Sequence, residues 1–201
     1  MKYLKTYEQN NIITKLDYSN QKLSKLPELP NSLIELSCYR NNLTELPKLP
    51  ESLKILNCIG NQLPELPKLP KSLEILYCDY NHLTKLPKLP NSLKKLNCNR
   101  NKLTELPELP KLLEILNCIG NQLPELPKLP DSLKRIDFYY NLVNELPKLP
   151  NLLKYLYCHN NNLPYRNFNE YKKYIEKYKD LINEYGYDEA MNILYNANKF
   201  N

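Results

Sequence analysis

From about Asn11 to about Pro164 one frame returns every twenty residues, and Glu51 to Pro70, ESLKILNCIGNQLPELPKLP, shows it in full. The frame is S-L-x-x-L-x-C-x-x-N-x-L-x-x-L-P-x-L-P. A fixed period this short leaves few folds open. Each unit is too small to bury its own aliphatic side chains, so neighbouring units must cover one another in a solenoid. The core is then a column running the length of an array, and the 201 residues form one elongated body.

Within a unit, L-x-x-L-x-C alternates inward and outward residues as a short strand does. Stacked units place these strands side by side and parallel, at a spacing of about 4.8 Å. Asn41, Asn61, Asn81, Asn101, Asn121, Asn141 and Asn161 recur where the chain must turn. A side-chain amide there can satisfy the backbone N–H and C=O groups that a turn frees, so these residues predict a ladder of buried amides. The return tract is L-P-x-L-P, and 14 of the 17 prolines occupy its two columns. Proline lacks a donor and disfavours helix at the residue before it, so the return side is expected to be extended.

The division expected along the chain is an N-terminal segment with an atypical first repeat over 1–30, an array over 31–164, and a tail over 165–201. In the first repeat Ile13, Leu16, Tyr18, Gln21 and Leu23 fill the frame, with Tyr18 in place of Cys and Gln21 in place of Asn. End repeats differ because one of their faces meets water. In the tail, Phe168, Tyr171, Tyr174, Ile175, Tyr178, Leu181, Ile182 and Tyr185 recur at steps of three and four. They predict one amphipathic helix from Asn167 or Asn169 to Gly186. A second helix, capped by Asp188, has Ala190, Met191, Ile193, Leu194 and Ala197 as its apolar side. The tail reads as a cap over the last repeat, with a separate docking helix as the alternative.

The frame Leu33, Leu36, Cys38, Asn41, Leu43 resembles the leucine-rich repeat, with Cys at the third leucine position. Its length and its L-P-x-L-P tract are similar to the short class found in bacterial effectors. They are also similar to predicted leucine-rich repeat proteins of giant amoeba viruses, whose A+T-biased composition this chain shares. The resemblance covers about 11–164. It implies an α/β repeat solenoid: a curved array with a parallel concave sheet, an extended convex side and a C-terminal helical cap. It also implies a concave face used for protein binding. Some effectors carry a ubiquitin-ligase domain after the repeats; none is expected in the roughly 37 residues of this tail, which contain no Cys.

A second period of sixty lies inside the first. Residues 51–70 and 111–130 differ only at Glu51/Lys111, Ser52/Leu112 and Lys54/Glu114, so a block of three repeats was duplicated. Beyond the strand one column reads Arg40, Gly60, Tyr80, Arg100, Gly120, Tyr140. Positions 35, 37 and 39 and their equivalents should face outward on the concave side, among them Ile55, Ile75, Ile115 and several tyrosines. Tyrosine on a groove gives a large contact area at small entropic cost. The candidate partner-binding residues are Tyr39, Arg40, Tyr77, Tyr80, Tyr139, Tyr140, Tyr155 and Tyr157.

Cys38, Cys58, Cys78, Cys98, Cys118 and Cys158 share one inward position, with Phe138 filling the gap. They are expected to form a core ladder without disulfides, because strand spacing holds neighbouring Cβ atoms slightly too far apart. A straight row of thiols cannot surround a zinc ion, and no metal site is expected. His82 is placed on a solvated turn and His159 on the concave face. Neither has a nucleophile beside it in the pattern, and with three glycines the chain has no phosphate loop, so neither catalysis nor a cofactor is expected. The net charge of +6 is modest, and no stretch is apolar enough for a membrane span or a cleaved signal. The expectation is a monomeric, cytoplasmic module, in the host cytoplasm if viral or effector, that binds a protein or peptide and no membrane. Two other readings are single-stranded nucleic-acid binding through Arg40, Arg100, Arg135 and the array lysines with stacking on Tyr, and a structural particle component.

Overall fold

The computed structural model describes residues 12–198, with side chains through Leu194; residues 1–11 of the expected N-terminal segment and the side chain of Ala197 lie outside it. Among the described residues eight three-residue strands run in chain order through one sheet: β1 Lys15–Asp17, β2 Glu35–Ser37, β3 Ile55–Asn57, β4 Ile75–Tyr77, β5 Lys95–Asn97, β6 Ile115–Asn117, β7 Arg135–Asp137 and β8 Tyr155–Tyr157. Every adjacent pair is parallel and in register at a sequence offset of twenty, as with Leu56↔Leu76 and Leu76↔Leu96. The structure is the solenoid of stacked turns that the frame implies.

The repeat Glu51 to Pro70 shows why the frame holds each residue. Leu53, Leu56, Cys58, Leu63, Leu66 and Leu69 are buried and form one column with their equivalents. The return tract is neither helix nor strand and closes in a turn, where the Leu73 N–H donates to the Pro70 carbonyl at 3.2 Å. The recurring serine is structural: the Ser72 hydroxyl lies 2.6 Å from the Glu51 carbonyl and 2.8 Å from that of Leu53, tying a turn to the preceding one. Leu112 and Leu152 replace that serine and stand exposed.

The amide ladder forms as expected. The Asn61 Nδ2 donates to the carbonyls of Cys38 (3.0 Å) and Cys58 (3.1 Å), while its Oδ1 accepts from the Leu43 N–H (3.1 Å). The same three bonds repeat for Asn81, Asn101, Asn121, Asn141 and Asn161, with Phe138 in the place of the cysteine where it falls. Each amide therefore joins its own turn to the one before. At the first turn Asn41 reaches the Tyr18 carbonyl and accepts from the N–H groups of Gln21 and Leu23, whereas the exposed Gln21 side chain donates to the Asp17 carbonyl at 3.5 Å.

All six cysteines are free and buried. The thiols of Cys58, Cys78 and Cys98 lie 3.3–3.5 Å from the carbonyls of Tyr77, Asn97 and Asn117 on the next turn. Burial raises their pKa well above the ordinary value. A buried neutral thiol is a poor nucleophile. Ellman's reagent is expected to leave all six unreacted in the native protein and to modify all six in guanidinium; rapid reaction at neutral pH would show that the core opens readily.

The C-terminal cap differs from expectation in its helices. The tail holds three, α1 Phe168–Lys177, α2 Lys179–Tyr185 and α3 Tyr187–Asn198, in place of two. Asn167 caps α1, its Oδ1 accepting from the N–H groups of Asn169 and Glu170 at 3.0 and 3.1 Å. The chain bends at Tyr178 (φ −110°, ψ 21°) without glycine or proline. On one side α1 packs on the array through Tyr171 and Tyr174, and on the other α2 runs against α3 and buries no residue fully. Gly186 ends α2 at φ +79°, in keeping with a terminal glycine. Asp188 lies in the first turn of α3 and is not its cap. Ala190 and Met191 are buried, but Ile193 and Tyr185 are exposed, so both leave the expected apolar sides.

The last strand is closed by the segment before α1. The Cys158 N–H donates to the Arg166 carbonyl at 3.1 Å and Tyr157 bridges antiparallel to Asn167. Tyr165 is buried there, 5.2 Å from the ring of Tyr171 and 5.3 Å from that of Tyr174. These contacts cover a sheet edge whose donors would otherwise be free.

Candidate functional site

Side chains at positions 35, 37 and 39 of each turn project from the concave face, and most are half-buried because the neighbours 4.8 Å or so away shade them. Two depart from the expected outward setting. Asp79 and Asp137 are buried. Asp79 accepts from the backbone and side-chain amides of Asn99 through Oδ1, and its Oδ2 has no partner. Burial raises its pKa against the lowering by those Asn99 bonds. Asp137 takes two bonds from Arg135, at 2.7 and 3.0 Å, and its Oδ1 is likewise unpartnered. Alternation alone could not show this, since burial here comes from neighbours within the face.

The residues singled out from sequence fall into three places on that face and its rim. Tyr39 (half-buried) and Arg40 (exposed) stand near the N-terminal end. In the middle, Tyr77 is half-buried with the Lys95 Nζ 4.9 Å from its ring centre, and exposed Tyr80 lies 5.8 Å from the Arg100 guanidinium. Toward the C-terminus, Tyr139 stacks on His159 at 4.3 Å with Tyr140 edge-on to both. Tyr155 and Tyr157 flank the Arg135 guanidinium at 5.8 and 5.6 Å. Tyr80, Tyr155 and Tyr140 are 57%, 52% and 55% exposed and Tyr157 42%. The first and last groups lie five to six strand spacings apart, about 24–29 Å, so they do not converge on one small-molecule site. His82 is exposed at its turn.

Sequence reasoning missed the backbone of the rim. Arg40, Tyr80, Arg100 and Tyr140 have φ of +53°, +53°, +51° and +57°, and Gly60 and Gly120 have +66° and +65°. Asn20 and Asn160 complete the column at +58° and +54°. In this column every N–H but that of Asn160, on the last turn, reaches the next turn, as Arg40 does to the Ile59 carbonyl at 2.8 Å. The left-handed conformation favours Gly and Asn, and the Gly and Asn members of the column were the available signal. Charge on the sheet's other margin is largely paired: Glu74 lies between Lys54 (3.7 Å) and Lys94 (2.7 Å), and Lys134 meets Glu114 at 2.8 Å.

Among the described residues no group of three or more His, Cys, Asp or Glu is placed to hold a metal ion, and no helix is long and apolar enough to cross a membrane. Residues 71–111 match the family described as Leucine Rich repeats (2 copies). No curated protein matches this chain in sequence. Among solved structures it is similar to a Shigella effector LRR domain, with 32% identity, a TM-score of 0.70, and coverage of 83% of this chain and 76% of that one. It is also similar to YopM of Yersinia enterocolitica (43% identity, TM-score 0.68, covering 70% of this chain and 34% of that one). For a leucine-rich effector protein, YopM, of Yersinia pestis the values are 44% and 0.71, covering 73% of this chain and 43% of that one. The chain thus spans less than half the length of either YopM. With its repeat of about twenty residues, its stacked parallel turns and these likenesses, the chain belongs to the leucine-rich repeat family, in the short class seen in bacterial effectors.

Proposed function

We propose that the chain is a non-catalytic interaction module that grips a protein or peptide on its concave face and the adjoining rim. The fold is one typical of non-catalytic proteins, and effector domains of this kind are generally protein-interaction modules. The observation that carries the reading is the set of exposed tyrosines beside cations on a rigid, hydrogen-bonded sheet: Tyr80 with Arg100, and Tyr155 and Tyr157 with Arg135. Such rings are already half-ordered, so binding sacrifices little rotamer freedom. The proposed contact residues are Tyr39, Arg40, Tyr77, Tyr80, Tyr139, Tyr140, Tyr155 and Tyr157, on an array of 31–164 between the end units 1–30 and 165–201. The module is proposed to act as a monomer in the cytoplasm, the host's if it is an effector.

The test is a variant with Tyr77, Tyr80 and Tyr140 all changed to Ala. Protein capture from host lysate should fall at least about tenfold, since several exposed aromatic contacts of roughly 1 kcal/mol each are lost, while the circular-dichroism melt stays in place. Undiminished capture would put the contact surface elsewhere. On this face Asp137 already occupies the Arg135 guanidinium, which leaves that cation less free for a phosphate backbone. Binding to single-stranded oligonucleotide that falls steeply with salt would overturn the protein reading.

A further inference from the structure

We propose that Arg40 and Arg100 are twin anchor points for an extended acidic segment of the partner, with carboxylates four residues apart. This rests on the concave face being a protein-binding surface and specifies what that surface recognises.

The duplicated blocks have diverged at six of nine positions on the concave face, keeping only Ile55, Asn57 and Ile59 as Ile115, Asn117 and Ile119. Glu35 corresponds to Lys95, Ser37 to Asn97, Tyr77 to Asp137, and Asp79 to Tyr139. The rim column has not: Arg40, Gly60 and Tyr80 return as Arg100, Gly120 and Tyr140, with Ile59 returning as Ile119. Backbone comfort does not explain that retention. A left-handed residue is easiest as Gly or Asn, and Asn stands at both ends of the column, whereas Arg and Tyr there are strained. Strained side chains kept twice, in the same order, mark a constraint from outside the fold.

The two copies share their backbone geometry, although Arg100 also lies beside the Tyr80 ring and Tyr140 also packs on Tyr139 and His159. The Arg40 and Arg100 N–H groups donate to the Ile59 and Ile119 carbonyls at 2.8 and 2.7 Å. A Cβ built on Gly60 or on Gly120 would lie 3.6 Å from the Cγ of the preceding arginine, so each arginine stem runs beside a bare glycine. Tyr80 and Tyr140 follow one turn later, exposed to nearly equal degree. Each copy is therefore a cation, a gap and an aromatic wall. Neither arginine has an acidic partner among the described residues, in contrast to Lys54, Lys94, Lys134 and Arg135. A planar, five-donor cation with no acidic neighbour is suited to a carboxylate.

Spacing selects the ligand. Three strand spacings separate the arginines, about 14 Å, and an extended chain advances about 3.3 Å per residue, so four residues span the distance and two or six do not. The probes are short labelled peptides in a Ser/Thr/Val background, with two glutamates two, four or six residues apart, and a Gln counterpart of each. Fluorescence anisotropy should find the four-residue spacing about tenfold tighter than its Gln counterpart. Arg40→Gln and Arg100→Gln should each remove about half of that advantage on a logarithmic scale, and the double variant all of it.

Affinity independent of spacing, or untouched by the double variant, would overturn the proposal. If peptides of every spacing bind equally and the Tyr77, Tyr80, Tyr140 variant still loses them, the concave-face reading stands and the twin anchors fall. If no peptide binds by about 1 mM, the twin anchors fall as well. If an oligothymidylate then binds instead, the protein-binding reading falls with them.

Discussion

Replacing Asn101 with Leu is expected to cost roughly 3–5 kcal/mol and to split the array's cooperativity, the largest single-residue effect expected in this chain. The Asn101 Nδ2 donates to the carbonyls of Cys78 (3.0 Å) and Cys98 (3.1 Å), and its Oδ1 accepts from the Leu83 N–H at 3.1 Å. Leucine, with the same branched heavy-atom skeleton, would occupy the space but leave that N–H without an acceptor and take one donor from each carbonyl, all away from water. The stranded N–H costs about 1–3 kcal/mol, and each carbonyl, which keeps the donor Asn81 or Asn121, loses a bond of about 1 kcal/mol. Because Asn101 joins two adjacent turns in the middle of the column, the two halves would then unfold less as a unit. Urea titration should show a lower midpoint and a shallower slope. Asn161, only half-buried at the last rung, should cost clearly less, since water can replace its bonds. Equal effects at the two positions, or a loss under about 1 kcal/mol at Asn101, would mean that the ladder does not couple the turns.

Alkaline pH is expected to unfold the protein steeply between about pH 9 and 12, because of the thiol column. Burial pushes the Cys38 and Cys158 thiols up to about 12, with Asp17 and Glu170 adding smaller raising effects, and it raises those of Cys58, Cys78, Cys98 and Cys118 as well. In the unfolded chain the same thiols titrate near their ordinary value of 9.0. Above that value the unfolded state gives up protons that the native state keeps. The stabilisation is therefore complete below the unfolded pKa and is lost as pH rises toward the folded one. Each thiol contributes up to about 1.4 kcal/mol per pH unit in that window, so six together make the decline several kcal/mol per unit. The phenols of Tyr165 and Tyr187, raised chiefly by burial, act in the same sense at somewhat higher pH. Urea midpoints at pH 7, 9 and 10 measure the slope. Changing Cys58, Cys78, Cys98 and Cys118 to Ala should lower stability at pH 7 through lost packing and visibly flatten the alkaline decline. An unchanged slope in that variant would assign the decline to other groups.

Asn61, Cys58 and Pro67 show how much could be read from the chain alone. The amide ladder, the thiol column and the helix-free return side all repeat at an offset of twenty, and each follows from contacts between one turn and its neighbours. A contact that recurs in every turn leaves a periodic trace, so the solenoid, its inward residues and its sheet were legible without coordinates. The candidate surface was legible only as a set of names. The tyrosines were identified, but not the partners that hold them: Lys95 on Tyr77, Arg100 on Tyr80, His159 on Tyr139. Nor did alternation show that Asp79 and Asp137 are buried within an outward-facing row.

Tertiary structure alone decided the aperiodic features. The bend at Tyr178 has no glycine or proline to announce it; it reflects α1 lying on the array while α2 lies on α3. Closure of the last strand by the Arg166 carbonyl depends on where the tail folds back. The left-handed rim at Arg40 and Tyr80 is set by a bond from each N–H to the next turn, which overrides the preference of the side chain. A one-dimensional sequence records what each turn demands of its neighbour, because that demand is the same everywhere along the column. It does not record a contact made once, since a single packing event has no period to reveal it.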